Sequence, residues 1–278
     1  MAATVRIGDL DVRRIGFGAM RITGPQILGW PADRENALRV LRRAVELGVN
    51  LMDTADSYGP EVSELLIAEA LHPYPEGLVV ATKGGLLRTS SGAWPRDGRP
   101  GHLREACEGS LRRLRVDRID LYQLHAPDPQ VPFEDSVGEL ARLQAEGKIR
   151  HVGLSNVSVE QLHRAQELVR IVSVQNRYSL ADRSSEDVLD ECERQGIAFL
   201  PWYPLSAGRL AEQGGSLGGV AGAHGATPAQ VALAWLLARS PVVVAIPGTA
   251  SVAHLEENVA ATSLDLSEEE LAELSATA

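Results

Sequence analysis

Asp53, Tyr58, Lys83 and His125 each stand at, or just beyond, the end of a short apolar run. Asp53 and Tyr58 follow from VNLMD, Lys83 ends LVVATK and His125 ends IDLYQLH. Such runs are expected as β-strands. A carboxylate, a phenol, an ammonium and an imidazole in one pocket make a proton-transfer group. A free phenol has a pKa of about 10 and is a poor donor at neutral pH. A nearby ammonium favours the phenolate and lowers that value. Lys83 supplies this field, and Asp53 supplies the counter-charge that a buried lysine needs. Tyr58 is then a candidate general acid toward a carbonyl oxygen, or a general base toward an alcohol in reverse. His125 can donate to the same oxygen, where negative charge develops. No protein side chain donates hydride, so reduction on such a group requires a redox cofactor.

Plainer readings stand beside this one. Asp53 could cap a helix or form a turn. Tyr58 in DSYGP could pack beneath a loop, Lys83 before Gly84-Gly85 could sit in a surface turn, and His125 could bond only to backbone. A hydrolase would cast Ser155, His125 and Asp53 as a triad, but no G-x-S-x-G elbow is present. No HExxH or other compact ligand spacing occurs, so no metal site is expected.

The elements that must position these residues alternate. VRIG, Asp9 and DVRRIG read as an N-terminal β-hairpin able to plug the bottom of a barrel. FGAM reads as the end of a first strand. Helix 33–47 carries an apolar stripe through Val40, Leu41, Val45 and Leu47, and Gly48 stops it. Then come strand 49–53, helix 62–71, strand 78–82, helix 103–114, strand 119–124, helix 133–146 and strand 149–154. Helix 159–165, strand 171–174, helix 185–195, strand 198–201, helix 228–239, strand 242–246 and helix 252–261 complete eight units. LSEEELAEL, at 266–274, reads as a short C-terminal helix with an acidic first turn. Eight β/α units favour a (β/α)8 TIM barrel over an open doubly wound sheet, and no GxGxxG follows the first strand. One domain spanning 1–278 is expected. The barrel brings all strand C-termini to one face, where the four residues converge. The longest loops there are 86–100 and 203–227, and the second holds a Gly/Ala-rich stretch read as mobile and able to open over a ligand.

The later strand ends are polar in another way. Ser155-Asn156 and Gln175-Asn176 offer donors and acceptors suited to a carboxamide. Tyr203 offers a flat ring for a heterocycle. Leu205, Ser206 and Gly208 follow it, and small side chains there let a phosphate-bearing chain approach backbone N–H groups. Thr249 and Ser251 precede a helix N-terminus that can take an anion, although Ser251 serves equally as its cap.

The net charge is -10, from 27 basic and 37 acidic residues, which argues against general nucleic-acid or anionic-membrane binding. Apolar content of 44% argues against disorder. Cys107 and Cys192 lie in expected helices and suggest neither disulfide nor thiolate metal site. No secretion signal or membrane span is read, so the expectation is a cytoplasmic protein.

The sequence resembles the aldo-keto reductase superfamily over nearly its whole length. The resemblance rests on DTADSYG (53–59), ATKGG (81–85), DLYQLH (120–125), GKIRHVGLSN (147–156) and IPGT (246–249). It looks strongest toward bacterial members that include pyridoxal reductases, through QNRYSLADR (175–183), FLPWYPL (199–205) and IPGTASVAHLEENV (246–259). The resemblance implies a barrel binding extended NADPH and a tetrad of Asp53, Tyr58, Lys83 and His125, with Tyr58 as proton donor to an aldehyde or ketone. Ser155, Asn156 and Gln175 would hold the carboxamide, and Tyr203 would stack on the nicotinamide. Leu205, Ser206, Gly208 and Leu210 would line the pyrophosphate channel. Gly248, Thr249, Ser251, His254, Glu257 and Asn258 would surround the adenosine end. Many members carry lysine at the place of Gly248 and arginine at that of His254, so the preference for NADPH over NADH is expected to be smaller here. Met20, Ile22, Trp30, Leu86, Trp94 and Trp202 are candidates for the substrate pocket, alongside Tyr58 and His125. A small-molecule carbonyl such as pyridoxal is the expected partner, acted on by a monomer or weak homo-oligomer. A general carbonyl reductase or an alcohol dehydrogenase accepting NADH is the alternative. A nonenzymatic nucleotide-sensing subunit is a further one.

Overall fold

The computed structural model describes residues 4–205 and 215–276. The chain opens with an antiparallel hairpin of β1 (Thr4–Ile7) and β2 (Leu10–Arg13), turning at Gly8-Asp9. Gly8 has a φ of +67° and the His151 ring lies against it, so a side chain there would collide. Val5, Ile7 and Val12 are buried in one cluster with Leu51, Val79, Leu121, Val172 and Val244, which seats the hairpin against the strands.

The strands β3 (Phe17–Gly18), β4 (Leu51–Asp53), β5 (Val79–Gly84), β6 (Ile119–Leu124), β7 (Ile149–Ser155), β8 (Ile171–Gln175) and β9 (Ala198–Phe199) form one parallel sheet in chain order. Their residues are almost all buried, as expected for parallel strands covered on both faces. Between them run α1 (Arg34–Glu46), α2 (Val62–Leu71), α3 (Pro100–Leu114), α4 (Phe133–Ala145), α5 (Val159–Gln166) and α6 (Glu186–Gln195). After β9 come α7 (Ser216–Ala223), α8 (Pro228–Arg239), α9 (Val252–Ala260) and α10 (Glu268–Ala276). α1 buries Ala37, Leu38, Val40, Leu41 and Ala44 at helical spacing, and Asp33 caps it by accepting from the Asn36 N–H at 2.8 Å.

The expected closed eight-stranded barrel is corrected. The sheet is curled but open, with seven strands, and residues 242–246 do not form an eighth. That stretch makes single bridges instead, Val243 with Phe199 and Ala245 with Ile15. Pro241 and Pro247 bracket it, and neither can donate a ladder hydrogen bond. The buried Arg14 fixes its approach by donating to the carbonyls of Leu237 (2.8 Å), Ser240 (2.5 Å) and Val243 (3.2 Å).

The Gly/Ala-rich stretch also differs from expectation. Residues 216–223 are helical because Leu217, Val220 and Ala221 fall on one face and pack into the main core. Cys107 and Cys192 are buried free thiols in α3 and α6, and burial pushes both up to about 12. Among the described residues no helix is long and apolar enough to cross a membrane.

Candidate active site

β4 ends in Asp53, and β5 carries Lys83 one residue before its end. The Lys83 Nζ donates to Asp53 Oδ2 at 2.7 Å and to the Thr54 carbonyl at 2.8 Å. The two side chains are 0% and 3% exposed. Burial alone pushes the Lys83 ammonium down, but Asp53 and Tyr58 more than offset it, and Lys83 is held above the ordinary lysine value.

Asp53 Oδ1 is held from the other side. It accepts from Gln175 Nε2 at 2.8 Å and from Gln123 Nε2 at 3.3 Å. Gln123 pairs with Lys83 in register across β5 and β6, and Gln175 pairs with Ser155 across β7 and β8. Gly153 makes room for this array, since a Cβ there would lie 2.3 Å from Ser173 Oγ and 2.9 Å from Gln123 Cγ.

Tyr58 lies in the turn after β4, with Lys83 Nζ 5.3 Å from its ring centroid. Burial pushes the phenol up and Lys83 pulls it down; burial wins, so the phenol keeps its proton at neutral pH. His125 follows β6 and meets the Tyr58 ring edge-to-face at 5.8 Å. Burial, then the Lys83 charge, hold the imidazole well below its ordinary value, so it is neutral. Ser57 Oγ lies 3.4 Å from His125 Nδ1. The geometry therefore brings the four expected residues together and adds Gln123, Gln175 and Ser57 to them.

The expected cofactor residues divide. Ser155 is buried at the end of β7, and its Oγ accepts from Asn156 Nδ2 at 3.0 Å. Asn156, at φ +59°, also donates to the His125 carbonyl (2.9 Å) and accepts from Trp202 Nε1 (3.0 Å). Gln175 belongs to the Asp53 array as much as to the rim. Asn176 Nδ2 donates to the Val157 carbonyl at 2.7 Å, a backbone-fixing contact. Tyr203 is half-buried at φ +64°, with the Arg177 guanidinium 5.2 Å from its ring centroid. Leu205 packs against the main core, while Ser206, Gly208 and Leu210 lie outside the described residues.

At the other end of the rim, Ser251 caps α9 by accepting from the His254 N–H at 3.3 Å, and Thr249 Oγ1 accepts from the Ser251 N–H at 3.0 Å. Asn258 is buried, Glu257 is half-buried and His254 is exposed. A Cβ on Gly248 would lie 2.6 Å from the Gly18 carbonyl oxygen, so a side chain such as lysine cannot be placed here without a backbone shift. Arg21 runs past the same point, its Cγ 3.6 Å from that Cβ position. Arg21 was not among the expected residues; its only sequence signal is a cation just after the first strand.

The pocket candidates also divide. Met20 lines a cavity of about 300 Å³ with Arg21, Gln26 and Ile27. Trp94 meets the Tyr58 ring at 6.5 Å, and Leu86 bridges to Arg96 in the loop that carries Trp94. Trp202 is half-buried and bonded to Asn156. Ile22 is 1% exposed and packs in the core with Phe17 and Leu66, so it does not line a pocket. Trp30 is 46% exposed, with the Arg34 guanidinium 4.8 Å from its ring centroid. Among the described residues no group of His, Cys, Asp and Glu could hold a metal.

A buried phenol, ammonium, carboxylate and neutral imidazole at the C-terminal edge of a parallel sheet define an acid–base site suited to carbonyl–alcohol chemistry. Residues 14–278 match the family model described as the aldo/keto reductase family. The chain belongs to that family, and so to a class of oxidoreductase enzymes. It is 51% identical over 273 residues to an uncharacterized oxidoreductase of Schizosaccharomyces pombe, covering 98% of this chain and 89% of that one. It is 44% identical over 278 residues to pyridoxine 4-dehydrogenase of Escherichia coli, covering 98% and 96%. The structure of an aldo-keto reductase from Klebsiella pneumoniae in complex with NADPH superposes with a TM-score of 0.85 at 32% identity, covering 99% of this chain and 94% of that one.

Proposed function

We propose that this protein reduces a small aldehyde or ketone to the alcohol with NADPH, and that pyridoxal is among its substrates. The observation that carries the reading is the buried Lys83–Asp53 pair set beside Tyr58 and His125. NADPH, when bound, supplies the hydride. Tyr58 protonates the carbonyl oxygen. It is suited to this because it is protonated at neutral pH, while Lys83 stabilises the phenolate left behind. Asp53, fixed by Gln123 and Gln175, keeps Lys83 charged. His125, neutral and with Ser57 Oγ 3.4 Å from its Nδ1, donates its ring N–H to the same carbonyl oxygen. In reverse the same groups accept the proton of an alcohol.

The donor set suits the cofactor. Ser155 and Gln175 are buried polar groups at the ends of β7 and β8, within one paired register. They would hold the carboxamide, and Tyr203 would stack on the ring. Arg21, beside Gly248, would supply a cation toward a cofactor phosphate. The preference for NADPH would then rest on one arginine and the Thr249–Ser251 turn, with NADH as a weaker alternative.

The likeness to pyridoxine 4-dehydrogenase supports pyridoxal as a test substrate. The experiment is cofactor oxidation, followed by loss of reduced-nicotinamide absorbance, with pyridoxal and an aldehyde panel, using NADPH and NADH in parallel. Rapid pyridoxal reduction with NADPH is expected. Slow turnover across all aldehydes would remove pyridoxal as the substrate, and no turnover with any carbonyl would overturn the reading.

A further inference from the structure

The stretch 86–96 is a hairpin that overhangs the proton-transfer group. The Leu87 N–H donates to the Pro95 carbonyl at 2.8 Å, Thr89 N–H to Ala93 at 3.0 Å, and Gly92, at φ +86°, closes the turn onto Thr89 at 2.9 Å. Its base is pinned to the loop after His125, where Arg96 Nη1 donates to the Pro127 carbonyl at 3.0 Å and Gly98 N–H to Asp128 Oδ2 at 3.0 Å.

Trp94 projects from this hairpin to meet the Tyr58 ring at 6.5 Å, nearly perpendicular to it. The Arg88 guanidinium covers the indole, its Cζ 4.5 Å from the centroid. Arg88 also donates to the Gly92 carbonyl in its own hairpin and to the Gln26 carbonyl in the loop facing it. That loop is tied back to the Tyr58 turn, since the Gly29 N–H donates to the Gly59 carbonyl at 2.6 Å. The contacts close a circuit around the phenol: Tyr58 turn, 24–29 loop, Arg88, Trp94 and Tyr58 again. A cation stacked on an indole and bonded to carbonyls on two loops fixes both the ring and the width of the opening. Trp94 remains half-exposed, so a flat ring presented to Tyr58 can pack against it.

We propose that Trp94 sets a preference for flat aromatic carbonyls over small aliphatic ones, and that Arg88 is the positioning residue that holds Trp94 beside Tyr58. This rests on the carbonyl-reductase reading above. The test compares kcat and KM for pyridoxal, benzaldehyde and propanal with saturating NADPH, in the wild type, Arg88→Met, Trp94→Ala and Trp94→Phe. Trp94→Ala should lower kcat/KM for the two aromatic aldehydes about tenfold relative to propanal, mainly through KM. Arg88→Met should move the ratio the same way by about threefold or more, with NADPH affinity unchanged. Trp94→Phe should restore most of the preference. Ratios that stay within about twofold of wild type in every variant would overturn the inference while leaving the carbonyl-reductase reading intact. An equal loss of kcat on all three substrates would also overturn it, by showing a purely structural role. A wild type inactive on all three would sink the reading and the inference together.

Discussion

Lys83→Met removes one charge from a pair that water does not reach. The side chains are 0% and 3% exposed, and Asp53 would keep only Gln175 at 2.8 Å and Gln123 at 3.3 Å. Stranding one member of a buried pair costs about 3–5 kcal/mol. At roughly 2–4 °C per kcal/mol for a domain of this order of size, Tm should fall by about 6–20 °C. Turnover should fall by about 100-fold or more, because the phenol loses its field. Asp53→Asn strands Lys83 instead, leaving it the Thr54 carbonyl and the Tyr58 side chain. The double variant Lys83→Met/Asp53→Asn strands no charge, so it should be more stable than the sum of the two single losses implies, by about 1–3 kcal/mol. Denaturant unfolding of the four proteins measures this coupling directly. Losses that simply add would refute the claim that the two residues act as one buried unit.

Three further outcomes are expected. Arg21→Gln should weaken NADPH binding by about tenfold and NADH binding much less, read from cofactor fluorescence titrations, and an unchanged NADPH/NADH affinity ratio would remove Arg21 from the phosphate end. His254→Arg, which adds a cation to the exposed start of α9, should raise that ratio, and no change would place the cofactor phosphate elsewhere. His125 is buried neutral, so its pKa is lower in the folded chain than in the unfolded one. The unfolded state then binds the extra proton as pH drops below about 6.5, and stability falls there. His125→Gln should flatten that part of the Tm–pH curve, whereas an identical acid slope in both proteins would count against a buried neutral imidazole.

Much of this was legible in the sequence because parallel strands announce themselves as short apolar runs between amphipathic helices. β5, β6 and β7 fall where those runs stand, and their ends carry Lys83, His125 and Ser155. Residues 242–246 form as apolar a run, yet they make only single bridges, because ladder pairing depends on neighbours and flanking prolines rather than on hydrophobicity. Gln123 was hidden for a different reason. It shares a face of β6 with Leu121 and carries no charge, and the register sets it beside Lys83. Period-two counting back from His125 would have flagged it. Arg21 and Arg88 act across loops distant in sequence, where spacing holds no information. Ile22 shows the converse: an apolar residue just after the first strand was expected to line a pocket, but it turned into the core.

The most direct test of the central claim is Tyr58→Phe, assayed for carbonyl-dependent NADPH oxidation and, in parallel, for NADPH affinity by fluorescence titration. The ring and its packing against Trp94 and His125 are retained, and only the hydroxyl is lost. Turnover should drop by about 100- to 10,000-fold while Kd for NADPH stays within about twofold. A variant that keeps wild-type turnover would show that the proton comes from elsewhere and would contradict the account.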